Sequence, residues 1–171
     1  MNILFFPTFS SLNCRKLMDL YAEGNRENAE EMYPGLPISE GVACVERDFL
    51  DFLQNDFYRK PENTYWVAEE NGVWISALRL NKISDGFWYL EALETHPAYR
   101  RKGYAKTLLS GVLDRLKANG PFVVRDCVYI GNEASIRTHL ACGFCIASEA
   151  GTDYLRGGFA DWEYGMQYSC P

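Results

Sequence analysis

The chain has 171 residues, 47% of them apolar and 23% charged: one domain of ordinary size, with enough apolar residues for a core and not the composition of a disordered chain. Its formal net charge of −6 argues against a sequence-independent nucleic-acid binder, which needs a basic surface to displace counterions. No apolar run approaches the ~20 residues needed to span a bilayer. The N-terminal "MNILFFPTFSSLNCRK" has no basic segment before its apolar run, so no signal peptide is expected and the expected location is cytoplasmic.

No repeat, low-complexity tract or linker divides the chain, so residues 1–171 are taken as one domain. "NILFF" suits a first strand. From Asn13 the pattern is helical, with Leu17, Leu20 and Tyr21 on one face; a second helical stretch covers Glu27 to Tyr33, and "PGLP" breaks it. Ser39 is a candidate N-cap for a helix in which Val42, Val45, Phe49, Phe52 and Leu53 recur at helical spacing. "TYWVAEE" and "VWISALRL" flank Asn71-Gly72, a strong hairpin signal, and Asp85-Gly86 leads into "FWYLEALET". These make an antiparallel meander. "AYRRKGYAKTLLSGVLDRLKANG" is a turn and a long amphipathic helix with Leu108, Leu109, Val112 and Leu116 on one face. "PFVVRDCVYI" is a strand, "NEASIRTHLACG" a short helix opened by Asn132 with Gly143 just past its end, and "FCIASEA" and "WEYGMQYS" are the last strands, separated by a loop. The order is β-α-α-β-β-β-α-β-α-β-β, an α/β (α+β) mixed sheet.

Six cysteines in such a chain do not read as a disulfide framework. Cys142 and Cys145 form a C-x-x-C pair with His139 upstream, which admits a redox dithiol, part of a zinc site, or a plain turn. A redox thiolate wants a helix N-terminus, and this pair sits at a helix C-terminus. A zinc site needs a further ligand or an open position, and the only other histidine is His96.

The segment Arg100-Arg101-Lys102-Gly103-Tyr104-Ala105 follows a strand and enters a helix directly. A helix start presents unpaired amides and a partial positive charge, so it binds anions; small residues at Gly103 and Ala105 let oxygens approach the backbone, and the basic residues add charge. This turn resembles motif A of the GNAT superfamily of acyl-CoA-dependent N-acetyltransferases through Arg100, Gly103 and Ala105, preceded by Pro97. "NEASIRTHLACGF" is similar to the superfamily's second signature through Asn132, Ser135, Ile136, Gly143 and Phe144. The resemblance is strong over residues 64 to 145 and implies a mostly antiparallel sheet of six to seven strands flanked by about four helices.

It also implies acetyl-CoA as co-substrate, with no metal. Backbone groups of Leu93, Glu94 and Thr95 are expected along the pantetheine arm, and the amides of Arg101, Lys102, Gly103, Tyr104, Ala105 and Lys106 around the pyrophosphate, with charge from Arg100. Asn132, with Ser135 and His139 on the same helix, is expected near the pantetheine. With Gly143-Phe144 as the helix stop and strand start, Cys142 and Cys145 flank a structural turn. Where many members carry a Tyr that protonates the departing thiolate, this sequence has His139. A thiol has a pKa near ~8.5, a Tyr ~10 and an imidazolium ~6.5, so His139 is a competent donor; the alternative is a packing role under the cofactor.

An alkylamine acceptor with a pKa near ~10 is about one part in a thousand neutral at pH 7, a cost of roughly 4 kcal/mol, so a base is needed. Glu91 is the favoured candidate, sharing strand parity with Tyr89 and Thr95; Glu94 or a water chain are alternatives. Alternation puts the two acids on opposite faces unless a bulge intervenes. Tyr154, Gly157, Gly158 and Asp161, with His139, are similar to phosphinothricin-type amino-acid acetyltransferases, although the N-terminal half is not. Tyr21, Tyr33, Phe52 and Trp66 are candidates for an acceptor pocket or for the core. The expected activity is acetyl transfer to a primary amine of a small amino-acid-like or polyamine-like molecule, with no nucleic-acid or membrane partner. A homodimer is compatible with this; the rivals are acetylation of a protein N-terminus or lysine, and a non-catalytic acyl-CoA-binding module.

Overall fold

The computed structural model describes all 171 residues. Strand β1 (Asn2–Phe6) leads through a 3-10 turn into helices α1 (Cys14–Leu20), α2 (Ala22–Met32) and α3 (Ile38–Asn55). The meander β2 (Thr64–Glu70), β3 (Val73–Ser84) and β4 (Phe87–Thr95) follows, then α4 (Tyr104–Lys117), β5 (Phe122–Tyr129) and α5 (Glu133–Ala141). The chain closes with β6 (Cys145–Ser148), β7 (Gly151–Thr152), β8 (Phe159–Ala160) and β9 (Glu163–Cys170). Seven strands form one sheet in the order β1-β2-β3-β4-β5-β9-β6, while β7 and β8 pair with each other. Within that sheet every pairing is antiparallel except β4 with β5. The fold class is as the sequence implied.

Local chemistry sets the element ends. Asn13 caps α1, its Oδ1 accepting from the Lys16 amide at 3.1 Å. Asn71 and Gly72 both take positive φ (53° and 79°), which the two-residue turn between β2 and β3 requires. At the end of α5, Phe144 N–H donates to His139 O and Gly143 N–H to Leu140 O, with Gly143 at φ 90°: a Schellman stop. Ser39 is not the cap of α3. Pro37 is, because its ring fixes φ at −53° and its carbonyl accepts from the Glu40 and Gly41 amides. Helix α2 also starts earlier than its apolar pattern suggests, at Ala22, with Tyr21 ending α1 and opening α2. The loop after β6 holds the small β7–β8 ladder, closed by Asp153 Oδ1 accepting from the Leu155 and Arg156 amides at 2.8 and 2.9 Å.

The sheet has a core on each face. Leu108, Leu109, Val112 and Leu116 of α4 pack with Leu78, Leu80, Leu90, Val124 and Met166. On the other face Leu17, Leu20 and Leu53 from α1 and α3 pack with Tyr65, Val67 and Ala77. Each fully buried large side chain contributes about 1.5–3 kcal/mol, so the helices, and with them their termini, are fixed to the sheet.

Candidate active site

The β4–β5 ladder covers only Phe87–Tyr89 against Val123–Arg125. Beyond it β4 stays with β3 and β5 with β9, so the two strands part and open a notch in the sheet. β4 also carries a bulge. Arg79 faces Glu91 and Ala77 faces Glu94, which leaves one extra residue in β4, with Ala92 at φ 54°. The Tyr21 hydroxyl holds the bulge by donating to Ala92 O at 2.6 Å. Glu91 and Glu94 therefore lie on one face, with Arg79 and Ala77. Thr95, opposite Ser76, turns to the other, which corrects the parity expected from simple alternation.

At the mouth of the notch stands the start of α4. Gly103 occupies the N-cap in the left-handed region (φ 83°), with no capping side chain on the first-turn amides. A Cβ at Gly103 would meet nothing within 4 Å, so the space before those amides is open. Arg101 also has positive φ (62°), strain that a bulky residue adopts rarely. The Arg100 side chain turns inward: its Nε donates to Thr95 O at 3.0 Å, and its guanidinium pairs with Glu94 at 3.1 Å and with Glu23 of α2. Its charge is spent tying the turn to β4. Lys102 reaches back to Ala98 O at 3.2 Å, and Tyr104 donates to Glu70 at 2.8 Å. Arg101 precedes Gly103 in this turn, and Ala105 and Lys106 lie in the first turn of α4. Along β4, Glu94 O accepts from Ser76 Oγ at 2.6 Å, and the Thr95 amide donates to Glu94 Oε1 at 2.9 Å, so part of the expected pantetheine edge already has partners. Leu93 packs against the α4-side core.

Helix α5 packs on β5, the other wall of the notch, through His139 and Asp126. Asn132 Oδ1 accepts from the Ser135 amide at 3.0 Å, while Ser135 is half-buried. His139 is 0% exposed. Its Nδ1 lies 2.9 Å from Ser135 O and 3.4 Å from Ser135 Oγ, its ring meets Phe144 edge-on at 5.0 Å, and its Nε2 lies 2.8 Å from Asp126 Oδ2 on β5. His139 is thus buried, its Nδ1 bonded within α5 and its Nε2 close to Asp126 without a well-directed hydrogen bond.

Glu91 is on the opposite face. Its Oε2 accepts from Arg79 Nε and from Asn81 Nδ2, each at 3.0 Å, and its Oε1 lies 3.8 Å from Arg156 of the β7–β8 loop. The Tyr154 ring folds onto Phe87 and Tyr89 at 5.0 and 5.6 Å, so this loop covers β4 beside Glu91. Tyr89, Tyr154, Arg156 and Asn81 therefore form the surroundings of Glu91. Of the aromatics singled out in the sequence, Tyr21 is a buried bulge clamp and Phe52 packs under the Arg79 guanidinium at 5.0 Å; Tyr33 pairs with Asp48. Trp66 lines a separate cavity of about 570 Å³ near the C-terminus of α4. They do not converge on one pocket.

Cys142 packs on α4, accepting from Ser110 Oγ at 3.5 Å, and burial pushes its thiol pKa up; Cys145 is exposed on β6. His139 faces Asp126 instead, so the three do not gather around a common point.

A helix start with open amides, a parted parallel pair and a bulged β4 agree with what the comparisons find. The profile of the acetyltransferase (GNAT) family matches residues 13–144, and the chain belongs to that family. An L-methionine sulfoximine/L-methionine sulfone acetyltransferase of Salmonella typhimurium is 33% identical over 87 residues, 48% of this chain and 51% of that protein. The alignment thus spans about half the length of that relative. The PaiA N-acetyltransferase of Thermoplasma acidophilum, solved in complex with coenzyme A, superposes with a TM-score of 0.65 at 18% identity, covering 99% of this chain and 100% of that one. YncA of Salmonella typhimurium, solved with acetyl-CoA, gives 0.58 at 20% identity over 99% and 94%. At these identities the structures establish a shared fold. No helix is long and apolar enough to cross a membrane.

Proposed function

We propose that the chain transfers the acetyl group of acetyl-CoA to a primary amine of a small molecule. The observation that carries this is the notch: open amides of α4 stand at its mouth, and a carboxylate, Glu91, waits on the far face of the sheet. The amides of Arg101 to Lys106 hold the pyrophosphate, where Gly103 leaves room for oxygens. Leu93, Glu94 and Thr95 line the pantetheine from β4, and Asn132 and Ser135 line it from α5. Acetyl-CoA supplies an activated thioester, and the chain orients it so that an amine entering beside Tyr89 and Tyr154 attacks directly. Glu91 takes the ammonium proton, through Oε1 or a water held between it and Arg156. The proton for the departing thiolate comes from the α5 side, where His139 lies.

A small acceptor is favoured because Tyr154 and Arg156 fold over β4 and narrow the approach to Glu91. The relative that acetylates methionine sulfoximine and methionine sulfone supports the same choice. The test is release of free thiol from acetyl-CoA on adding amines in turn: amino acids and their sulfoximines, polyamines and aminoglycosides. Thiol release matched by an acetylated product supports the proposal. Tight acetyl-CoA binding with no amine-dependent release overturns it in favour of a binding module.

A further inference from the structure

Asp126 has no role in the site described so far, yet it is the one acid in the core-facing row of β5. Phe122, Val124 and Val128 on the same face belong to the α4-side core. A carboxylate in such a row needs a partner, because desolvation of an unpaired charge is expensive. The partner is His139 Nε2 at 2.8 Å, the nitrogen's single polar neighbour. The pair lacks ideal angular alignment, so Nε2 has no well-directed hydrogen bond; the separation still leaves room for nothing but a proton.

The proton positions follow from the acceptors. Ser135 O can only accept, so Nδ1, 2.9 Å away, carries a hydrogen. Nε2 then faces a carboxylate oxygen, and one proton must lie between them, as imidazolium with carboxylate or as imidazole with carboxylic acid. The surroundings favour keeping it. Burial pushes the Asp126 carboxyl upward, with His139 opposing; burial works to lower His139, and Asp126 outweighs it, leaving the imidazole pKa raised. Glu91 on β4 acts on Asp126, and Asp126 in turn acts on Glu163 of β9, Cys127 of β5 and Tyr89 of β4. Among these groups Glu91 carries its own cations, Arg79 at 3.0 Å and Arg156 at 3.8 Å, whereas Asp126 has His139 as its ion-pair partner.

The shared proton is sealed from the notch, since His139 is 0% exposed. Its way out is Ser135, half-buried on the first turn of α5, whose Oγ lies 3.4 Å from Nδ1. That contact is long, as catalytic contacts are before a substrate tightens them. We infer that Ser135, His139 and Asp126 form a proton relay to the departing thiolate, ending on the Ser135 hydroxyl and not on the imidazole. The inference rests on the acetyl-transfer proposal above. As the C–S bond breaks, Ser135 Oγ gives its hydrogen to the sulfur and takes the one on Nδ1, while Nε2 takes full possession of the proton shared with Asp126. The products are a free thiol, an intact Ser135, a neutral imidazole protonated at Nε2 and a carboxylate; Nδ1 is then bare against Ser135 O, an unfavourable contact that drives its reprotonation. A proton from solvent, replacing the one the amine gave up, resets the relay.

Asp126→Asn tests it, because an amide donates to Nε2 and keeps the geometry but has no transferable proton. In Asp126→Asn and in Ser135→Ala, kcat should fall on the order of 10²-fold, the low end for general acids because thiolates leave well. Calorimetric affinity for acetyl-CoA should stay within a few-fold. The double variant should be no slower than the worse single, since the three act as a unit. Unchanged kcat in either single, or fully multiplying losses, overturns the relay.

Nitrogen-15 spectra of the two histidines give a readout without turnover, with His96→Gln supplying the assignment. His139 should show a protonated Nδ1 at neutral pH and titrate above the ordinary imidazole range, and in Asp126→Asn it should not titrate there. A parent spectrum with Nδ1 unprotonated, or with an ordinary titration, overturns the proposal even if both variants prove insoluble. If no amine elicits thiol release, the acetyl-transfer proposal fails on its own, and these spectra still decide the proton pair.

Discussion

The two sides of the notch hold charge in different ways. On the α1–α3 face the two acids of β4 are matched by arginines: Glu91 by Arg79 and Arg156, Glu94 by Arg100. On the α4–α5 face the positive end is a set of backbone amides with no partner, and the one buried acid, Asp126, is matched by a group that can lose its proton. Arginine does not give up its proton, so the first face is electrostatically rigid. An imidazole does, so the second is the face where protons and an anionic ligand can come and go. In the proposed function, cofactor binding and proton delivery to the thiolate would thus be separated in space from Glu91, the carboxylate proposed to take the amine's proton.

The change that breaks this contrast most completely is Gly103→Glu. It forces a side chain into a left-handed position and places negative charge before the open amides. Acetyl-CoA binding should be lost to calorimetry; undiminished affinity would remove the turn from the site. Next is Glu91→Gln, which keeps an acceptor for Arg79 and Asn81 but removes the base. We expect kcat to fall about 10²–10⁴-fold at unchanged acetyl-CoA affinity. Activity within a few-fold of the parent would move the base to Glu94 or to a water chain.

The same contrast separates what was legible in the sequence from what was not. The α4 turn is local: Gly103, its basic neighbours and the helix behind it lie in one short segment, so its geometry follows from sequence order. The disposition of Glu91 and Glu94 depends on a bulge at Ala92, and nothing in "FWYLEALET" marks it, since neither Gly nor Pro stands there and its clamp, Tyr21, lies on another element. Tyr154 was visible through its loop, whereas Arg156 and Asn81 needed the fold to meet Glu91. Asp126 did leave a trace. In "FVVRDCVY" it shares parity with Phe122, Val124 and Val128, and an acid in that row signals a buried partner. The partner itself, thirteen residues on in α5, comes only from tertiary packing.

A smaller effect sharpens the contrast between fixed and mobile charge. Both His139 and Asp126 have raised pKa values in the folded chain, so folding favours their protonated forms. The contribution of Asp126 is complete only below the unfolded carboxyl value of ~3.9, whereas that of His139 is complete below the unfolded imidazole value of ~6.5 and is lost as pH climbs through the folded one. Above that, a carboxylate faces a bare nitrogen, a buried acceptor without its bond, worth about 1–3 kcal/mol. Thermal melts should show the parent losing stability between neutral pH and the onset of tyrosine ionisation near ~10, and Asp126→Asn losing much less. Parallel profiles would mean that the pair holds no proton of consequence.

The least effect is expected from the cysteines near His139, which test whether the mobile face owes anything to thiol or metal chemistry. Cys142 is held against α4 by Ser110 and Lys106 O, and burial raises its pKa, the opposite of what a reactive thiolate needs. Cys145 is exposed on the edge strand β6, with Gln167 of β9 as its ladder partner. Serine is nearly isosteric with cysteine, so Cys145→Ser should change stability by no more than ~0.5 kcal/mol, and Cys142→Ser by about 1 kcal/mol for a half-buried apolar group made polar. Transfer rates should stay within a few-fold in both single variants and in the double. The His139 titration should be unmoved as well, because Asp126 and Ser135, and neither sulfur, are the groups that act on its ring. A stoichiometric zinc in the purified protein, lost together with activity in the double variant, would replace the proton pair with a metal as the organising charge of this face.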